Sequence, residues 1–191
     1  MQARSSGWLL AGLLTLCGAR QAWAEPEVDD KTRNAARRLA EQGRDVFDKH
    51  DYERAYDLFH RAYGLVAAPT IAPYEDRSLA KLGRLVQAQE AYLRAVRTKM
   101  TPDSPEAFRK AIHEAETEEM ALEARIPKVT LVLSGPGAQL PDVSVTADGE
   151  PLESQLIGVE MPINPGSHVV VASVPGGKPT SVSFTIAESA K

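Results

Sequence analysis

The chain reads as an α+β protein of two domains, with N-terminal α-helical hairpin repeats and a capping helix followed by a small C-terminal antiparallel β-sandwich. Three observations predict this. Apolar residues recur every three or four positions up to about residue 126, strict alternation with turn residues replaces that period afterwards, and charge density falls at the same place. Residues 25–127 hold 37 charged side chains in 103 positions, whereas 128–191 hold 9 in 64. The boundary therefore falls near Ile126-Pro127.

The chain opens with "MQARSSGWLLAGLLTLCGARQAWAEPEVDD": Arg4, a continuous apolar run over 8–16, and the small-x-small triplet Ala22-Trp23-Ala24. This order predicts a secretory signal peptide over 1–24, cleaved after Ala24. The run is short of the roughly 20 residues a bilayer span requires, so no transmembrane span is expected in the mature chain. Cys17 raises a lipoprotein alternative, although Leu16 stands where lipid attachment wants a small residue. Removal of Cys17 leaves no cysteine, hence neither disulfide nor thiolate metal site. The chain carries a net charge of −4, and losing Arg4 and Arg20 takes it to −6 over 167 of the 191 residues. An acidic, exported chain without clustered Lys and Arg disfavours nucleic acid as a partner.

A first helix carries Ala36, Leu39, Ala40, Gly43, Val46 and Phe47 on one face. A second carries Tyr52, Ala55, Tyr56, Phe59, Ala62, Tyr63 and Val66, with Asp51 as its cap. Gly43 and Ala55 are small where the helices would cross. A shift of 33 residues sets Ala55 on Ala88, Phe59 on Tyr92 and Ala62 on Ala95, a weaker second copy. Its first helix is expected to begin near Tyr74, after Pro73. The stretch 104–126 predicts a further helix, with Ser104 as cap and Pro105 in its first turn, that covers the apolar stripe of the second copy.

The spacing over 36–101 resembles the tetratricopeptide repeat: a small residue in the first helix, a Gly-Asp-Tyr-like turn, and Ala, aromatic and Ala in the second helix. His50 stands in place of the turn glycine, a position that needs a left-handed backbone, and Asp76 stands in place of the small first-helix residue of the second copy. The resemblance implies an array whose first helices line a concave, partner-binding groove. Carried over position by position, it puts Arg37, Arg44 and Asp48 from one repeat, and Arg77 and Lys81 from the next, on that surface. Four cations there form a patch for a carboxylate-bearing peptide end or an acidic segment, or are ordinary solvated helix residues neutralised by Glu41, Asp45 and Asp76.

Beyond residue 127, alternation at 129–134, 143–148 and 182–186, with turn residues at Gly135-Pro136-Gly137, Asp148-Gly149, Asn164-Pro165-Gly166 and Pro175-Gly176-Gly177, predicts about five strands over 128–191. The fragments "VSVTADGEPL" and "INPGSHVVVASVPG" resemble PEGA-type surface modules of bacterial envelope proteins, without the Pro-Glu-Gly-Ala tetrapeptide itself. That resemblance implies a spacer or adhesive module.

No catalytic signature emerges. His50, His60, His113 and His168 have no recurring ligand spacing, His113, Glu114 and Glu116 converge poorly on a helix, and no serine lies in Gly-x-Ser-x-Gly. The expectation is a non-enzymatic protein without cofactor or metal, in the periplasm or cell envelope of a Gram-negative-type bacterium. It serves there as a scaffold or adaptor binding other envelope proteins through its groove. The alternative is binding of surface glycan through the β part. With Trp8 and Trp23 removed and Phe184 the only aromatic beyond residue 127, stacking surfaces for sugar are scarce.

Overall fold

The computed structural model describes residues 28–135 and 142–189. The signal peptide expected over 1–24, and with it Cys17, lies outside the described residues, as do Pro136 and Gly137. Among the described residues the chain is a mixed α+β protein of five helices followed by six short strands.

Helix α1, Asp30–Asp48, starts where the Asp29 carboxylate accepts the Lys31 and Thr32 amides at 2.8 and 3.1 Å. It turns back at His50, whose φ of 64° is the left-handed conformation the turn demands. Asp51 then accepts the Arg54 amide at 3.3 Å and opens α2, Tyr52–Leu65. The two helices cross at Gly43. An added Cβ there would stand 2.8 Å from the Phe59 ring, so only glycine lets Phe59 seat against α1. Phe59 and Ala55, Ala62 and Ile71 form the core of this first hairpin.

The second hairpin pairs α3, Ala72–Lys81, with α4, Leu85–Val96. α3 begins at Ala72, two residues earlier than the sequence suggests, because a proline in the first turn lacks only an N–H that would have no helical partner. α5, Glu106–Glu123, packs on α4 and touches α3, and its Ala115 and Leu122 join Leu79, Leu85, Ala88, Tyr92 and Ala95 in the larger core. Ser104 does not cap α5. Its hydroxyl accepts the Thr101 amide at 2.9 Å instead, and no side chain caps this helix.

The β part begins at β1, Lys128–Thr130, which pairs only with β4, Glu160–Pro162. The four-stranded sheet has the order β3-β2-β5-β6, from β2, Ser144–Ala147, β3, Glu150–Leu152, β5, Gly166–Ser173, and β6, Thr180–Ile186. Every ladder is antiparallel. There is one strand more than expected, and the alternation at 129–134 becomes ladder only over its first residues.

The junction is buried. Ile126 is 4% exposed within the helical core, and Pro127 accepts the Ile163 amide at 3.0 Å. Arg125 holds Glu188 through two hydrogen bonds of 2.9 and 3.0 Å, and its carbonyl accepts the Ser189 amide at 2.9 Å. On α4 the helix start lacks a cap of its own. Asn164, from the turn before β5, supplies one by accepting the Val86 amide at 2.9 Å while donating to the Gln87 side chain at 3.0 Å.

Candidate partner-binding cleft

The five residues on which the sequence places partner binding do not share one cavity. Arg37 and Arg44 line a cleft of about 290 Å³ between α1 and the segment that leads into α3. Its floor is Phe59, Ile71 and Tyr74, with Val66 and Ala68 at one side. Arg77 and Lys81 line a second cavity of about 250 Å³ between α3 and α5, bounded by Tyr92, Glu118, Leu122 and Arg125. Asp48, exposed at the end of α1, lines neither.

The cleft owes its shape to the loop after α2. The Ile71 amide donates to the Ala68 carbonyl at 2.9 Å and the Tyr74 amide to the Ile71 carbonyl at 3.1 Å. These tight turns bring the Tyr74 ring into a stack on Phe59 with centroids 5.2 Å apart. The Arg44 guanidinium stands 5.9 Å from the Tyr74 centroid and that of Arg77 5.2 Å, both in cation–π range. Among the described residues Arg37 and Arg44 make no ion pair, and neither Glu41 nor Asp45 reaches them. Arg37 and Arg44 thus flank an apolar floor together with Arg33, whose Nε donates to the Val28 carbonyl at 2.8 Å.

Arg77 is differently placed. Its Nε donates to Glu118 at 2.8 and 3.1 Å, its terminal nitrogen makes a further close bond to the same carboxylate, and Glu114 lies 3.6 Å away. The Tyr92 hydroxyl completes the cluster by donating to Glu118 at 2.6 Å. Burial opposes the charge on Glu118, yet the bonds from Arg77 and Tyr92 hold its pKa below the ordinary value. Burial and the bond to Glu118 push the Tyr92 hydroxyl well above its own. Glu118 lies on a helix rich in glutamates, a pattern that by itself reads as a solvated face. Only the packing of α5 against α3 turns it inward.

Beside this cluster lie two buried carboxyls. Glu75, 1% exposed, takes His60 Nδ1 at 2.9 Å and Arg94 at 3.2 Å on one oxygen. Asp76 is fully buried, and neither of its oxygens has a hydrogen-bond partner. Burial, followed by the nearby Glu75, raises its pKa to about 9, so it is a neutral acid at pH 7.

Among the described residues no group of three or more His, Cys, Asp or Glu is disposed to hold a metal ion. His113 Nδ1 meets Glu116 at 3.7 Å as an exposed surface pair, while Glu114 faces Arg77 and Lys110. Nor is any described helix long and apolar enough to cross a membrane.

These features define a class of arrangement: stacked helical hairpins with an arginine-rimmed apolar cleft at one end and a β part fastened to the other. Comparison with family models, with curated proteins and with solved structures finds no match to the chain.

Proposed function

We propose that this protein is an exported, non-enzymatic adaptor of the bacterial envelope that holds an acidic segment of another protein in the α1 cleft. Arg37 and Arg44 supply donor forks to carboxylates, and an apolar side chain of the partner occupies the floor of Phe59, Ile71 and Tyr74. In this reading the hairpins α1–α2 and α3–α4 are tetratricopeptide-type units with α5 as their cap, residues 25–127 form one domain, and 128–191 form a PEGA-like module that spaces or anchors it. The leader over 1–24 directs the chain to the periplasm.

The observation that carries the reading is the pair of exposed arginines without counter-ions above an aromatic floor, at the end of the array that no further helix among the described residues covers. The sequence patch narrows accordingly to Arg37 and Arg44, since Arg77 already has its carboxylate in Glu118.

The test uses a fluorescent synthetic peptide of alternating Asp and Glu with one Phe, titrated by anisotropy. Wild type should bind and weaken as salt rises and the Debye length shortens from about 10 Å at 0.1 M to about 3 Å at 1 M. Arg37→Gln with Arg44→Gln should cost about 1.5–3 kcal/mol of binding per lost charge-assisted bond, with unchanged thermal stability because both side chains are exposed. Affinity insensitive to both salt and the double variant would remove the cleft from consideration.

A further inference from the structure

The two edges of the four-stranded sheet are unlike. β3 is three residues long and carries Pro151 at its centre and Glu150 at its start, both of which discourage pairing. β6 spans seven residues, Thr180–Ile186, pairs with β5 in unbroken register, and contains no charge, proline or bulge. Its other side has no partner strand among the described residues. Natural proteins usually blunt such an edge with a charge, a proline or a covering element. Among the described residues β6 has no charge, no proline and no strand paired to its outer side.

The side chains of β6 divide cleanly between faces. Thr180, Val182 and Phe184 point with Val145, Val170 and Ala172 into an apolar groove of about 500 Å³ on one face. Ser181, Ser183 and Thr185 lie on the other. Val182 remains 59% exposed although its neighbours in the groove are apolar. The edge is thus both hydrogen-bond competent and only half covered.

We infer that β6 pairs antiparallel with β6 of a second copy of this chain, about a two-fold axis at Ser183. In that register Val182 of each copy stands opposite Phe184 of the other, twice, on the groove face. Ser181 meets Thr185 twice, and Ser183 meets Ser183, on the polar face. Thr180 meets Ile186. Aromatic with β-branched and Ser with Thr are favourable directly opposed pairs, and like charges, the usual obstacle to self-pairing, are absent from all seven positions. Residues opposed in a ladder share a face, so the two apolar grooves become one trough across eight strands, covering Val182 of both copies. The interface is isologous and closed, which limits the assembly to two.

The experiment expresses the full sequence, so that cellular processing is retained, and measures sedimentation from about 10 μM to about 1 mM, with amide exchange compared at the two ends. A concentration-dependent dimer is expected, with slower exchange confined to 180–186. Ser183→Lys places two lysines opposite each other on the axis and should weaken association roughly fivefold or more, as should Ser183→Glu, each with wild-type thermal unfolding of the monomer because Ser183 is exposed. Mixing the two variants should restore association as a heterodimer, an outcome that damaged folding cannot produce. Arg37→Gln with Arg44→Gln should leave the dimer unchanged, which separates this edge from the cleft. A chain monomeric throughout the range, or a dimer whose protection falls outside β6 and which ignores the charge at 183, overturns the inference.

Discussion

Replacing Asp76 by Ala should stabilise this protein, and the size of the gain follows from the environment of that one side chain. Its carboxyl is fully buried and unpartnered, with a pKa of about 9 against an ordinary 3.8. The unfolded chain releases this proton near pH 4 and the folded chain holds it to about 9. Between those values the unfolded state binds fewer protons, so stability falls as pH rises. At pH 7 roughly three pH units of that interval have been traversed, at about 1.4 kcal/mol each, which sets a ceiling of about 4 kcal/mol. The neutral carboxyl, buried without a partner, costs about a further 1–3 kcal/mol at every pH, and the space that Ala leaves behind offsets part of the two together. Ala also restores the small residue that the tetratricopeptide resemblance implies at this position.

The expected gain at pH 7 is therefore about 1–3 kcal/mol, or a midpoint raised by about 2–4 °C per kcal/mol for a chain of this size. Asp76→Asn should gain less, because its amide is buried with the same lack of partners. Urea titrations of the three proteins from pH 4 to 9 measure both effects. Wild type should lose stability across this range and Asp76→Ala should follow a flatter curve, with the advantage of Ala smallest near pH 4. An Ala variant less stable than wild type at pH 7, or one with the wild-type slope, would refute the reasoning.

Two further outcomes are expected. Gly43→Ala should lower the urea midpoint with an unchanged m-value by about 1–3 kcal/mol, because its Cβ would meet the fully packed Phe59 ring at 2.8 Å; an unchanged midpoint would mean that α1 and α2 can separate freely. His168, 7% exposed, has Asp148 on Nδ1 at 2.7 Å and the Asn164 carbonyl on Nε2 at 2.8 Å, and two acceptors require both nitrogens to donate. Burial opposes the imidazolium, but the bonds to Asp148 and Asn164 raise its pKa, while the bond from His168 lowers that of Asp148. The histidine contribution is complete below its ordinary value near 6.5 and is lost as pH rises through the elevated one; that of Asp148 is complete above 3.8 and is lost as pH falls below it. His168→Gln should thus be most destabilising between about pH 4 and 6.5, by roughly 1.5–3 kcal/mol, with the deficit shrinking on either side; a deficit independent of pH in chemical denaturation would show that the imidazole acts only by packing.

What the sequence made legible was local. The turn at His50, the cap at Asp51 and the contact of Gly43 with Phe59 lie within about twenty residues, where helical spacing alone decides which side chains meet. Arg77 and Glu118 are 41 residues apart, and Asn164 caps a helix 78 residues earlier. Such pairings depend on the angle at which α5 and the β part dock, which no periodicity encodes. The cleft was half legible. Arg37 and Arg44 followed from the repeat pattern and Val66 from the stripe of the second helix, but the turns from Ala68 to Tyr74 that bring Ile71 and the Tyr74 ring to the floor follow from no periodicity. Asp76 stood out as a departure from the pattern. Its lack of any partner is a property of the assembled core alone.

Arg44 and Arg77 occupy equivalent positions under the 33-residue shift, yet the next helix along the stack treats them differently. For Arg77 that helix is α5, which offers Glu118 with its acidity strengthened by Tyr92, and the cation is consumed by the fold. For Arg44 it is α3, which offers the Tyr74 ring at 5.9 Å. A ring face attracts the guanidinium without occupying its planar fork of N–H donors, so those donors stay open to a carboxylate from outside. The same ring, held by Phe59, keeps the guanidinium close to one place and reduces the rotamer freedom a ligand would have to freeze. A pairing partner that attracts without saturating would distinguish a binding arginine from a structural one, and on that ground we place the proposed partner at the first hairpin and not at the second.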